Sequence, residues 1–305
     1  MVSYLELDRK EFERRIEKAF SLLEDCRLCG RECGVNRLKG EKGACRTGRE
    51  VIISSFGPHF GEESPLVGRH GSGTIFFTNC NLSCVYCQNY TISQLGEGEV
   101  ASEEALANIM IYLQRVGCHN INLVSPTHVM PQILKAIFIA REKGLRLPIV
   151  YNTGGYDSIE TIKLLEGIVD IYMPDMKYSD PDMGLKYSKV KNYPEVNRIA
   201  VKEMHRQVGD LVIKDGIATR GLLIRHLVLP NGIAGTEETL KFIAEEISKN
   251  TYVNIMDQYR PAYKAHEYPE LSRGITGKEF KDAIDLAKKY GLTRLDKRHA
   301  RFLLI

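Results

Sequence analysis

Thr74-Ile-Phe-Phe-Thr-Asn-Cys80-Asn-Leu-Ser-Cys84-Val-Tyr-Cys87 is the stretch on which the reading of this chain turns. Its first four residues form a short β-branched and aromatic run that reads as a buried strand. That strand runs straight into three cysteines within eight residues. The C-x₃-C-x₂-C spacing is compact enough to wrap one loop around a single iron–sulfur cube. It supplies three thiolates to four irons, whereas clusters that only carry electrons usually have four cysteines. The open iron points to chemistry at the cluster. Cysteines packing merely as small hydrophobes would not produce this spacing, and Asn81 and Ser83 do not read as core. A zinc knuckle or a fully ligated cluster would need a distant fourth cysteine. The only downstream candidate, Cys118, opens the next apolar run. If the two strands are parallel, about seven residues at ~3.3 Å each set it some 20 Å from the loop. Cys118 therefore reads as a packing residue.

The chain has 305 residues, enough for one large α/β domain or a domain with an appendage. A net charge of +3 with no polybasic block gives no indication of nucleic acid binding. No apolar signal segment opens the sequence and no run approaches a membrane span, so a soluble, cytoplasmic protein with no membrane partner is expected. Seven of the eight cysteines fall into two clusters with metal-type spacing. Ligation needs reduced thiolates, which again favours the cytosol.

Apolar strand-like runs recur at 74–77, 120–124, 148–151, 169–173, 221–229 and Tyr252–Met256. Helical stretches separate most of them, with start signals at Ser102, at Asp157 with Glu160, and at Thr236. Such alternation predicts parallel strands joined by right-handed crossovers. Six units are too few for a closed eight-stranded barrel, which leaves an open (β/α)₆ partial TIM-type barrel or an open sheet. Every run ends in polar groups: Thr78-Asn79-Cys80, Ser125-Pro-Thr-His128, Asn152-Thr-Gly-Gly155, Pro174-Asp-Met-Lys177, Arg225-His226 and Asp257-Gln-Tyr-Arg260. Parallel α/β folds carry their sites at these carboxyl ends. The expected organisation is an N-terminal helical, cysteine-rich metal-binding extension (1–50), an irregular connection (51–72), the (β/α)₆ core (73–260) and a C-terminal helix and tail (261–305). Asp8 with Glu11 should cap the first helix, and Thr276 with Glu279 the last. The basic-then-apolar tail from Lys297 is expected to pack on the body or to dock a partner.

The triad and the order of these tips resemble the radical S-adenosylmethionine (SAM) superfamily, in particular its pyruvate formate-lyase activating enzyme-like branch. The likeness is nearest to a poorly characterised subgroup that shares the cysteine stretch 26–45 and the stretches 120–128 and 150–157. The resemblance implies a 4Fe–4S cluster on Cys80, Cys84 and Cys87, whose open iron chelates the amino and carboxylate groups of SAM. Reductive cleavage of SAM then gives a 5′-deoxyadenosyl radical. It implies further that Tyr86 lies against the adenine, that Asn152 faces the ribose or methionine moiety, and that Asp175 and Lys177 form an Asp-x-Lys motif with Lys177 meeting the SAM carboxylate. Arg225, a charge among apolar neighbours, must face a polar cavity or a partner, and the SAM carboxylate suits it. His226 should point the other way. An electron donor such as flavodoxin or ferredoxin and a glycyl radical enzyme as protein substrate are the implied partners. One departure matters: where activating enzymes carry Gly-Gly-Glu to hold the SAM amine, this chain has Ser125-Pro126-Thr127-His128, leaving backbone carbonyls or the Thr127 hydroxyl for that task. Modification of an RNA, peptide or small metabolite is therefore a second reading, and an iron–sulfur electron carrier or zinc-stabilised binding module a third.

Upstream, Cys26-x₂-Cys29-x₃-Cys33-x₁₁-Cys45 offers four thiolates, enough to close a tetrahedral site. Glycines follow Cys29 and Cys33, as in tight metal knuckles. Zinc or a fully ligated iron–sulfur cluster would each satisfy this inventory. Surrounding basic residues, Arg27, Arg31, Arg37, Lys39, Lys42 and Arg46, would offset its charge.

Overall fold

The structure, a computed structural model, describes residues 2–296; the tail from Lys297 lies outside them. The first helix, α1 (Arg9–Ser21), starts where Asp8 accepts hydrogen bonds from the Lys10 and Glu11 amides. Its buried stripe of Phe12, Ile16 and Ala19 faces the core. The strands follow as β1 (Val51–His59), β2 (Ser72–Phe77), β3 (Glu99–Ala101), β4 (Ile121–Val124), β5 (Ile149–Thr153), β6 (Ile171–Pro174), β7 (Val212–Lys214), β8 (Ile217–Leu227) and β9 (Tyr252–Met256). Six of them, β2, β4, β5, β6, β8 and β9, are all parallel in that spatial order. These are the six apolar runs expected from the sequence. Among the described residues β9 pairs only with β8 in the sheet, so the barrel is partial and open.

The remaining helices are α2 (Ser64–Val67), α3 (Tyr90–Ser93), α4 (Glu103–Arg115), α5 (Met130–Glu142), α6 (Ile159–Leu164), α7 (Pro181–Ser188), α8 (Tyr193–Val208), α9 (Thr236–Phe242) and α10 (Gly277–Lys289). Ser102 caps α4, and Thr276 with Glu279 completes a capping box on α10. The start expected at Asp157 moves one residue, because Ser158 caps α6 and Asp157 turns inward. Thr236 is likewise the first helical residue of α9, behind Gly235. Two cores result. A large one packs the helices on the outer face of the sheet. A smaller one, with Leu66, Val150, Ile171, Met173, Leu223 and Tyr252, includes inward positions of the strands. Cys118 is buried in the outer core, as a packing residue should be.

One expectation fails. The connection after residue 50 is not irregular: β1 spans nine residues and pairs antiparallel with β2, while β3 pairs with β1. Ser54, Ser55, Gly57 and Pro58 mask the strand pattern. Pro58 is tolerated because β3 reaches only Ile53, so the missing N–H lies beyond that ladder. Among the described residues no helix is long and apolar enough to cross a membrane.

Candidate active site

At the carboxyl ends of the six parallel strands lies a cleft of ≈ 380 Å³ to which every strand tip contributes: Cys80, Ser125, Asn152, Asp175, Arg225 and Gln258 all line it. The three cysteines come from the loop that leaves β2. The Leu82 amide approaches Cys80 Sγ at 3.4 Å, Cys84 Sγ lies 3.0 Å from Ser188 Oγ, and Cys87 Sγ lies 3.1 Å from Ser93 Oγ. Loop backbone is fixed by Ser83 N–H to Ser188 O and Val85 N–H to Tyr187 O. Burial pushes the Cys80 thiol up to about 12, with Cys84 adding to it. A bound cation reverses such a shift, because thiolate is the ligating form. Among the described residues no fourth cysteine lines the cleft. The donor set therefore fits a cluster with one iron left open.

Asp175, Lys177 and Arg225 converge as read from the sequence, but in a linked set. Asp175 accepts from Lys177 Nζ at 2.6 Å and from Arg225 Nε at 2.8 Å. Burial raises the Asp175 carboxyl; the Arg225 and Lys177 charges outweigh it and hold the group below its usual range. Gly155, at φ +73°, lets the loop after β5 lie against the Asp175 backbone, where a Cβ would sit 2.3 Å from Asp175 O. Asn152 lines the cleft beside them and is buried. His226 faces away as expected: Nδ1 donates to Met176 O at 2.7 Å and Nε2 accepts from the Thr236 hydroxyl at 3.0 Å.

Tyr86 does not line the cleft. Its hydroxyl lies 2.6 Å from Tyr178 Oη and its ring packs edge-on to Tyr259 in a buried tyrosine-rich cluster. The side chain at the loop's aromatic position thus anchors the loop. Thr127 is also committed elsewhere, donating to Asp157 Oδ1 at 2.7 Å. Of that tetrapeptide only Ser125, held at φ +57°, lines the cleft. Missing from the sequence reading were His59, Glu62, Glu63 and Asn254, which also line it. Asn254 carried a signal, a polar residue inside the apolar run of β9. The two glutamates carried none.

Cys26, Cys29, Cys33 and Cys45 do come together, around a cavity of ≈ 10 Å³ that Arg37 and His128 also line. Among the described residues no three His, Cys, Asp or Glu side chains meet the spacing of a single-ion site. The knuckle forms because Gly34 takes φ +68° and donates to Cys26 O, while Cys26 N–H donates to Val35 O. This segment is tied to the active-site loop. Arg31 donates to Asn81 O at 2.6 Å, and Asn81 Nδ2 donates to Tyr156 O at 2.9 Å.

The comparisons with known proteins agree with this geometry. Residues 74–218 match the model of the radical SAM superfamily. The chain is 36% identical over 287 residues to the uncharacterized protein MJ0674 of Methanocaldococcus jannaschii, covering 91% of this chain and 78% of that protein. A second uncharacterized protein of that organism, MJ0808, is 24% identical over 80% of this chain and 73% of its own length. The structure of Streptococcus suis SuiB bound to S-adenosylmethionine superposes with a TM-score of 0.50 at 13% identity, over 72% of this chain. The chain spans 47% of that structure's length, and the likeness is one of fold. The chain belongs to the radical SAM superfamily. Membership implies an enzyme that uses a 4Fe–4S cluster and SAM.

Proposed function

We propose that Cys80, Cys84 and Cys87 hold the cluster, and that the protein cleaves SAM reductively and abstracts hydrogen from its substrate. The observation that supports this most is the convergence of all six strand tips on one cleft with three cysteines at its rim. The cluster and SAM, when bound, supply the radical chemistry. The chain binds, orients and excludes water. Asn152 offers an amide to SAM, and Arg225 and Lys177, pre-aligned by Asp175, offer positive charge to its carboxylate. The four upstream cysteines form a second metal site, zinc or iron–sulfur, that stabilises the N-terminal segment or relays electrons from a flavodoxin- or ferredoxin-type donor.

Activation of a glycyl radical enzyme is the finer reading that the sequence resemblance supports. A genome with no such enzyme removes it. Modification of a small metabolite is favoured by a different observation, the two buried glutamates that line the cleft. Reconstituted, reduced protein given SAM should yield 5′-deoxyadenosine; none would overturn the radical reading. A cluster EPR signal that SAM leaves unchanged would instead indicate an electron carrier.

A further inference from the structure

β1 carries the backbone away from the cysteine end of the sheet. Ile53 pairs with Phe77 beside the loop and His59 with Ser72, five steps or ~17 Å along β2. The chain then turns, and Glu62 and Glu63 enter the cleft from that far side. Glu63 is 4% exposed. Its Oε1 accepts from Asn254 Nδ2 at 2.8 Å, and its Oε2 has no hydrogen-bond partner among the described residues. Asn254 Oδ1, 5% exposed as a residue, is a second acceptor without a partner. Glu62 is engaged with His59 Nδ1 at 3.1 Å. The nearest cation is already shared, since Arg225 is bonded to Asp175. Burial raises the Glu63 carboxyl above its usual range, with the Arg225 charge opposing it, so a further cation would favour its charged form. Two buried acceptors, one of them on a carboxyl whose charged form burial disfavours, form a receptor for a positively charged donor, because each costs free energy until it is bonded.

We infer that Glu63 Oε2 and Asn254 Oδ1 receive a substrate ammonium group, so that the substrate is a small amine. This rests on the radical SAM reading, in which the amino group of SAM is taken up at the iron and is not the occupant here. Glu63 acts by positioning: it anchors the amine away from the cysteines and leaves the rest of the molecule to extend towards them.

The test uses the reconstituted, SAM-loaded protein and calorimetry with n-butylammonium, against n-butanol and butyrate of the same length. Butylammonium should bind at least about tenfold more tightly than either control, and Glu63→Gln, which keeps shape but removes charge, should abolish that preference. Glu63→Asp should retain it at reduced affinity. Absence of any preference in the unaltered protein, or its persistence in Glu63→Gln at unchanged iron content, overturns the inference. Failure of the underlying reading shows separately, as unaltered protein that makes no 5′-deoxyadenosine from SAM alone.

Discussion

The two cysteine groups differ less in number of sulfurs than in what surrounds them. Cys80, Cys84 and Cys87 border a cleft of ≈ 380 Å³ lined by charged and amide side chains; Cys26, Cys29, Cys33 and Cys45 enclose ≈ 10 Å³, too little space for a substrate. One group faces a space where a ligand can bind and react. The other is lined by Arg37, which is fully buried and donates twice to Gly48 O, and by His128. Free space beside the thiolates, as well as their number, distinguishes the two groups.

The sharpest way to break this contrast is to remove one sulfur from each group. Cys84→Ala should abolish 5′-deoxyadenosine formation, and iron analysis should show the loss of one cluster per chain. Substantial turnover in that variant would end the assignment of the loop. Cys29→Ala should lower iron or zinc content and reduce the melting temperature by roughly 5 °C or more, because metal binding at such a site is folding free energy. Unchanged metal content would sink the second site.

Asp175→Asn probes the charges that serve the open group. It leaves Lys177 and Arg225, both only partly exposed, side by side without their shared carboxylate, at a cost of about 3–5 kcal/mol in urea unfolding without SAM. A loss below ~1 kcal/mol would show that the set is not coupled as the distances indicate.

A smaller effect comes from His226. Burial holds it neutral, lowering it from 6.5 to about 4. The unfolded chain therefore takes up a proton that the folded one refuses. The stabilisation is complete above pH 6.5 and is lost as pH falls towards 4, up to about 3 kcal/mol. Urea midpoints measured between pH 7 and pH 5 should fall less steeply in His226→Gln; identical slopes would refute the assignment.

Much of this was legible in the sequence, and the reason is physical. The six parallel strands are buried on both faces, so their apolar runs stand out, and their polar ends mark the rim. The capped helices α1, α4 and α10 announced themselves through Asp8, Ser102 and Thr276. β1 was hidden because one side is partly exposed, with Phe56 at 47%, and because Pro58 and Gly57 mimic a loop. Tyr86 was ambiguous for another reason: an aromatic beside a cysteine serves a ligand or a core equally well, and its packing on Tyr178 and Tyr259 depends on distant segments. Glu63 was invisible because its burial depends on a turn after β1 that local sequence does not specify.

The Arg31–Asn81 hydrogen bond has a practical corollary for handling the chain. It runs from the upstream knuckle to the peptide next to Cys80, and Tyr156 supports both sides by donating to Gly30 O and accepting from Asn81. The knuckle is thus a buttress of the loop. A truncated version beginning at the first parallel strand would lose the hold on the residue that follows its first cysteine, and a domain exchange should carry the knuckle and the loop together.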